Sequence, residues 1–264
     1  MLIVAERINA SRKSIGEAIK AKDADFIRAE AKAQAEAGAN YIDVNAGTFV
    51  GQEAEYLCWL VEVVQGTTDL PLCLDSPDPA AIAAALAKVK GRAMVNSITL
   101  EKRRLAGMLP LVKKYRTKIV ALCQSDKGMG STVSEKVSVA RQMIEILTKE
   151  GVALDDIYID PLIYPIATDT QSAVAAMGAI KEIMRIFPGV HTIAGLTNVS
   201  FGLPVRKLIN RTFLVAAMAH GLDSAIIDPT DRELMASLIA AEAILDRDKF
   251  CTGYITAYRK GKLA

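Results

Sequence analysis

Polar side chains able to bind or move protons fall at a recurring place in this chain, at the ends of short apolar runs. Glu6, Arg7 and Asn9 follow Leu2 to Ala5; Asp43 and Asn45 sit in and after Tyr41 to Val44; Asp75 follows Pro71 to Leu74. Asn96 and Ser97 follow Arg92 to Val95, and Cys123, Gln124 and Ser125 follow Lys118 to Leu122. Asp160 follows Ile157 to Ile159, Thr197, Asn198 and Ser200 follow Thr192 to Leu196, and Asp228 follows Ser224 to Ile227. One Asp or Asn after a strand is an ordinary turn former or helix cap. Seven of eight runs ending in a carboxylate or carboxamide ask for a common cause, and convergence on one mouth supplies it.

A mouth of carboxylates and amides with hardly any cation suits a neutral, nitrogen-rich heterocycle. Its ring N–H and amino groups donate to carboxylates, and its carbonyl accepts from amides. Phosphate is served badly: it calls for Gly-rich loops and helix N-termini after the last two strands, whereas the last run leads into Asp228-Pro229-Thr230-Asp231. The two histidines fall outside the pattern, His191 before the seventh run and His220 at a helix end, so a Ser-His-Asp triad or a His-ligated metal is not expected. Lys127-Gly128-Met129-Gly130-Ser131 matches neither the dinucleotide nor the P-loop pattern and reads as a mobile loop at the mouth. Asp75 and Asp160 could pair for glycoside hydrolysis, but sugar-stacking aromatics are missing and Trp59 falls in a helical segment.

The elements that must position these groups alternate along the chain. The apolar runs are nearly continuous, as in parallel strands covered on both faces. Between them apolar residues recur at helical spacing over Asp23 to Ala37, Gln52 to Gln65, Pro79 to Lys90, Glu101 to Arg116, Val133 to Glu150, Thr170 to Ile186, Arg206 to Ala219 and Asp231 to Leu245. Gly38, Gly66, Gly91, Gly151 and Gly221 follow helix ends, and Asp78 and Thr230 are expected N-caps. Eight units in 264 residues give 33 residues each, the size of one βα repeat. The α/β class follows, a (β/α)8 TIM barrel, with a doubly wound open sheet as the competing arrangement.

Composition agrees with one domain over 1–264: hydrophobic residues make up 51% and charged residues 23%. The 32 basic and 30 acidic residues are interspersed, which argues against a nucleic-acid stripe or a membrane patch. Cys58, Cys73, Cys123 and Cys251 form no Cys-x-x-Cys pair and read as reduced thiols of a cytoplasmic protein. No stretch approaches a membrane span or a signal-peptide core. The tail from Thr252 reads as a solvated terminal segment.

The strand-end segments Ala5-Glu6-Arg7-Ile8-Asn9, Ile42-Asp43-Val44-Asn45-Ala46-Gly47, Leu72-Cys73-Leu74-Asp75-Ser76, Met94-Val95-Asn96-Ser97, Ile159-Asp160-Pro161-Leu162 and Gly195-Leu196-Thr197-Asn198-Val199-Ser200 resemble, in order and spacing, those of the pterin-binding barrel family. Within it the chain is similar to the methyltetrahydrofolate:corrinoid protein methyltransferases and, less closely, to the folate domain of cobalamin-dependent methionine synthase. The likeness extends through Ile209-Asn210-Arg211-Thr212-Phe213-Leu214 and Gly221-Leu222-Asp223. Ala5 stands where a glycine is common, and Phe201 where the corrinoid iron–sulfur branch tends to carry a polar residue.

The resemblance implies residue roles. Asp75, Asn96 and Asp160 match the positions that hold the pterin ring, with Asp43 beside them; Asn198 matches the asparagine that hydrogen-bonds near N5; Arg206 matches an arginine contributing to the folate site. It implies transfer of a methyl group between N5 of 5-methyltetrahydrofolate and cobalamin carried by a corrinoid protein, with no metal of the chain's own and with a homodimer as the assembly. A dihydropteroate synthase-like transferase and a non-catalytic pterin-binding module are the alternatives.

Overall fold

The computed structural model describes residues 1–263. Its strands are β1 (Leu2–Asn9), β2 (Tyr41–Asn45), β3 (Leu72–Asp75), β4 (Met94–Ile98), β5 (Lys118–Leu122), β6 (Gln124–Ser125), β7 (Gly128–Met129), β8 (Ile157–Asp160), β9 (His191–Thr192) and β10 (Ser224–Ile227). All but the β6–β7 pair join one parallel sheet in the order β10-β1-β2-β3-β4-β5-β8-β9. The remaining gap is bridged where the Ile226 amide donates to the Ala194 carbonyl at 2.9 Å, so the sheet is a nearly closed α/β barrel of the TIM type with ten α-helices among the described residues.

Because successive strand residues point to opposite faces, every second residue faces the barrel axis. Val4, Tyr41, Cys73, Met94, Val120, Tyr158 and Ile193 pack together as the lower interior layer. Two residues further along their strands stand Glu6, Asp43, Asp75, Asn96, Leu122 and Asp160, which line a cavity at the upper end. The alternate residues, among them Ile42, Leu72, Val95, Ile119 and Ile159, face outward into the large cluster under the helices. Register keeps the polar layer level: Asn9 lies opposite Asn45, Asn45 opposite Asp75, and Asp75 opposite Asn96.

Several boundaries differ from expectation for local reasons. The seventh apolar run forms sheet only at His191–Thr192; beyond Gly195 the chain coils into a 3₁₀ turn, Leu196–Ser200, which carries Asn198. The Gly-rich stretch is a short hairpin pairing Gln124 with Met129 and Ser125 with Gly128. Thr230 is not the cap of the helix Arg232–Ile244, since the Asp231 carboxylate accepts from the Leu234 amide while the Thr230 hydroxyl donates to Asp228. The helix from Pro79 ends at Leu86, short of Lys90. A helix at Lys13–Ala21, unanticipated among its basic residues, buries Ile15, Ala18 and Ile19 at the spacing of one face. The tail folds as a helix over Thr252–Arg259 because the Asp248 carboxylate accepts from the Gly253 and Tyr254 amides; of its residues only Ala257 is buried.

Candidate active site

At the C-terminal ends of the strands lies a cavity of about 430 Å³ lined by Asp43, Asp75, Asn96, Asp160 and Asn198 together with Glu6, Asn9, Ser11, Arg12 and Thr197, and by Leu122, Leu162, Gly195 and Ile226. Five of the six expected site residues share this one space. Arg206, the sixth, lines an adjoining cleft of about 590 Å³, which shares Glu6, Ser11, Arg12 and Thr197 with the first. A larger cleft of about 760 Å³ lies beside the β6–β7 hairpin, along the face of the helix Val133–Lys149. Only Asp126, Lys127 and Glu135 ionise there, and Glu135 is engaged in capping that helix, so the chemistry gathers in the mouth.

Burial dominates the electrostatics of the acids. Asp43 is 2% exposed, and burial with the neighbouring Asp75 charge pushes its carboxyl well above the usual range. Its Oδ1 has no hydrogen-bond partner, and a buried polar atom without a partner costs stability unless a ligand supplies one. Burial also raises Asp75, opposed by the Asn45 amide, which donates to it at 2.8 Å, and by Arg104. Asp160 is pushed up to about 6 by burial, against the Leu162 and Gly195 amides and Lys136. Glu6 is pushed up to about 7 by burial, with Arg12 pulling down and Asp228 pushing up. The site thus holds carboxyls of graded proton affinity, able to accept from N–H groups when ionised and to donate when protonated.

Three cations outside the polar layer hold the strand-end loops. Arg104 donates to the Ser97 carbonyl from Nε at 3.1 Å and from Nη2 at 2.9 Å, and to the Ser76 carbonyl at 3.1 Å. Lys136 donates to the carbonyls of Pro161 at 2.7 Å and Leu162 at 2.9 Å. Arg206 donates to the Ser200 hydroxyl at 3.1 Å and the Thr197 carbonyl at 2.8 Å, so it clasps the turn that presents Asn198. Gly195 admits that side chain, because a Cβ there would lie 3.3 Å from Asn198 Nδ2.

The mouth holds more positive charge than expected. Arg7, Arg12, Arg206 and Lys207 all border the adjoining cleft. Arg7 is committed: it donates to Glu30 at 2.6 Å and to Asp228 at 3.0 Å. Arg12 reaches Glu6 only at 3.5 Å. Arg12, Ser11 and the apolar wall of Leu122, Leu162 and Ile226 escaped the sequence because nothing in their local pattern separates a mouth residue from a loop or core residue. Glu6, Asn9 and Thr197 stood at strand ends but had no assigned role. The cysteines are free: Cys73 and Cys123 are buried, Cys58 is half-buried and Cys251 exposed. Among the described residues no cluster of three or more His, Cys, Asp or Glu is arranged to hold a metal ion, and no helix is long and apolar enough to cross a membrane.

A family model described as pterin binding enzyme matches residues 5–228. The methylcorrinoid:tetrahydrofolate methyltransferase of Eubacterium limosum is 39% identical over 265 residues, spanning 100% of this chain and 98% of that protein. The methionine synthase of Mycobacterium tuberculosis is 32% identical over 241 residues, spanning 86% of this chain and 20% of that longer protein. Among solved structures, the dihydropteroate synthase from Xanthomonas albilineans in complex with 7,8-dihydropteroate shares the fold, with a TM-score of 0.73 over 92% of this chain and 93% of that chain at 19% identity.

Proposed function

The chain belongs to the family of pterin-binding enzymes, and on that premise we propose that it moves a methyl group between N5 of tetrahydrofolate and the cobalt of a corrinoid carried by a second protein. Residues 1–264 would act as one pterin-binding domain, in a cytoplasmic homodimer. The observation that carries the reading is the partnerless Oδ1 of Asp43 in a cavity ringed by Asp75, Asn96 and Asp160. A pterin's ring nitrogens, amino group and carbonyl offer the complementary donors and acceptors. Identity of 39% with the Eubacterium limosum methyltransferase, over all of this chain and 98% of that protein, supports the reaction class.

The chemistry demanded of the residues follows from the leaving group. Displacement of a methyl group from neutral N5 would expel an amide-like anion, so N5 must gain a proton as the C–N bond breaks. Asn198 lies in the wall of the same cavity, where its side-chain oxygen can accept from the developing N5–H, an interaction that strengthens toward the transition state. A hydrogen bond to a charged group contributes about 1.5–3 kcal/mol, which is roughly ten- to a hundred-and-fifty-fold in rate. Glu6, half-protonated near neutrality, borders the same space as a proton reserve. Asp75, Asn96 and Asp160 fix the ring so that the methyl group points out of the mouth for in-line transfer. The same contacts serve either direction.

Two features of the rim agree with a protein partner over the mouth. Phe201 and Val205, beside the turn that carries Asn198, are 64% and 72% exposed and offer apolar contacts to a partner seated there. Dihydropteroate-forming chemistry would need a free basic site for its diphosphate leaving group, whereas the cations bordering the adjoining cleft are engaged: Arg7 of β1 with Glu30 and Asp228, Arg206 with the Ser200 hydroxyl and the Thr197 carbonyl, Lys207 with Asp231 and Arg12 with Glu6. The test is anaerobic mixing of the protein with 5-methyltetrahydrofolate and cob(I)alamin, read by absorbance. Methylcobalamin formation is the expected result, and tight pterin binding with no methyl transfer would reduce the protein to a binding module.

A further inference from the structure

The helix Val133–Lys149 places a lysine where an ammonium is least welcome. Lys136 is 1% exposed, and lysines are almost never buried without partners. It also sits one residue past the Thr132–Glu135 capping box, in the first turn of the helix, where the helix dipole opposes a cation. Two costs of this kind at one position point to compensating contacts of consequence. They are the carbonyls of Pro161 and Leu162, which accept from Lys136 at 2.7 and 2.9 Å; the Asp160 charge favours the ammonium from farther off.

Those contacts meet in one turn. Leu162 lies in the left-handed region with φ 57, where a non-glycine residue is strained. Its amide donates to Asp160 Oδ1 at 2.8 Å while its carbonyl accepts from Lys136. The lysine thereby clamps the turn Asp160-Pro161-Leu162 from behind, and both Asp160 and Leu162 line the cavity while Lys136 does not.

We propose that Lys136 is a positioning residue for the pterin site: from outside the cavity it holds the Asp160 turn in place and sets a positive charge behind the Asp160 carboxylate that receives the N–H groups of a pterin. This rests on the reading that Asp160 holds the ring. The groups facing Asp160 are Lys136 from the helix, the Cys123 thiol from the end of β5 and the amides of Leu162 and Gly195. Those facing Lys136 are Cys123, Asp160, Asp169 and Glu135. Burial pushes the Cys123 thiol up, so it stays neutral, and Lys136 is the cation that lowers Asp160. Without it a larger share of Asp160 carries a proton at neutral pH and cannot accept from the ring.

The test is tetrahydrofolate affinity by calorimetry from pH 5.5 to pH 9 for Lys136→Met, which removes clamp and charge, and Lys136→Gln, which keeps donors for the two carbonyls and removes the charge. Wild-type affinity should fall as pH drops through about 6. In either folded variant the midpoint should move up; a rise of about one pH unit would lower affinity about twofold at pH 7 and about fivefold at pH 6, with affinity restored at pH 9. A folded variant with an unmoved midpoint overturns the proposal, even if its affinity is uniformly lower, because loss of shape alone does not depend on pH. Should neither variant fold, a wild-type affinity flat between pH 5.5 and 7 overturns it as well. Asp160→Ala separates the two layers of inference: if it retains affinity, the pterin assignment fails, whereas its loss alongside unmoved Lys136 variants sinks only the role of Lys136.

Discussion

The two ends of the barrel use the same residue types to opposite ends. At the floor, below the N-terminal ends of the strands, charges come in satisfied sets. His191 contacts Asp223 at 2.7 Å through Nδ1 and Asp155 at 3.1 Å through Nε2, and its ring stacks on Tyr158 at 4.7 Å. Lys118 donates to the Tyr158 hydroxyl at 2.9 Å, and Arg92 is hydrogen-bonded to Asp156. At the mouth, Asp43 and Asp160 are buried, Asp75 and Glu6 half-buried, all four are under-compensated, and every one of them is raised. Paired charges lower the energy of the folded chain, whereas underpaired ones hold free energy that a ligand can release. Difference in pairing, more than in composition, separates the stabilising end from the reactive one.

Substitution of one end should therefore change what substitution of the other leaves alone. The largest effect is expected for Asp75→Ala at the mouth: calorimetry should detect no tetrahydrofolate binding, while the melting temperature is kept. Retained affinity would contradict the assigned ring orientation. Next comes Asn198→Ala, for which turnover in the methylcobalamin assay should fall roughly ten- to a hundred-and-fifty-fold with little change in pterin affinity. Equal losses in the two measurements would remove Asn198 from the proton-handling role.

Smaller effects sharpen the contrast in stability. Glu6 has its folded value raised to about 7 from 4.5, so the folded chain loses stability as pH rises through this window, where the unfolded carboxyl is already ionised. Glu6→Gln removes that loss, and its melting temperature should exceed the wild type by roughly 2–6 °C at pH 8 and match it at pH 4. A lower melting temperature at pH 8 would mean that the Arg12 contact outweighs burial. His191 works in the reverse sense: its folded value is raised, chiefly by Asp223, so its contribution is full below the unfolded value near 6.5 and fades as pH rises through the folded one. His191→Asn should lower the melting temperature by about 2–4 °C at pH 6, less at pH 9, and leave tetrahydrofolate affinity unchanged. A loss of affinity there would break the division between floor and mouth.

Much of this arrangement was legible before folding. The strands Lys118–Leu122 and Ser224–Ile227 and the helix Arg206–Ala219 have the expected bounds, because long apolar runs and strong helical periodicity carry their own signal. The polar residues at strand ends were legible for the same reason, since inward-facing positions alternate and the last of them meets solvent. The turn at Leu196–Ser200 was not, because the apolar run Thr192 to Leu196 reads as a strand throughout, whereas its sheet pairing ends at the Gly195–Ile226 bridge and the chain coils from Leu196 onward. Arg104 and Lys136 were hidden within helical segments. A cation in a periodic pattern reads as solvated surface, and only the packing of its helix against a strand-end loop turns it inward.

By itself the sequence determined the βα alternation, the α/β barrel and the polar layer at its mouth, because local periodicity and strand-end chemistry act over a few residues. The tertiary structure alone decided how those groups are charged. Glu6, Asp43, Asp75 and Asp160 are four ordinary acids along the chain, and ring closure of the sheet gathers them around one cavity, Asp43 and Asp160 buried and Glu6 and Asp75 half-buried. Proton affinity depends on burial and on neighbours distant in sequence, and distances of that kind exist only once the barrel has formed.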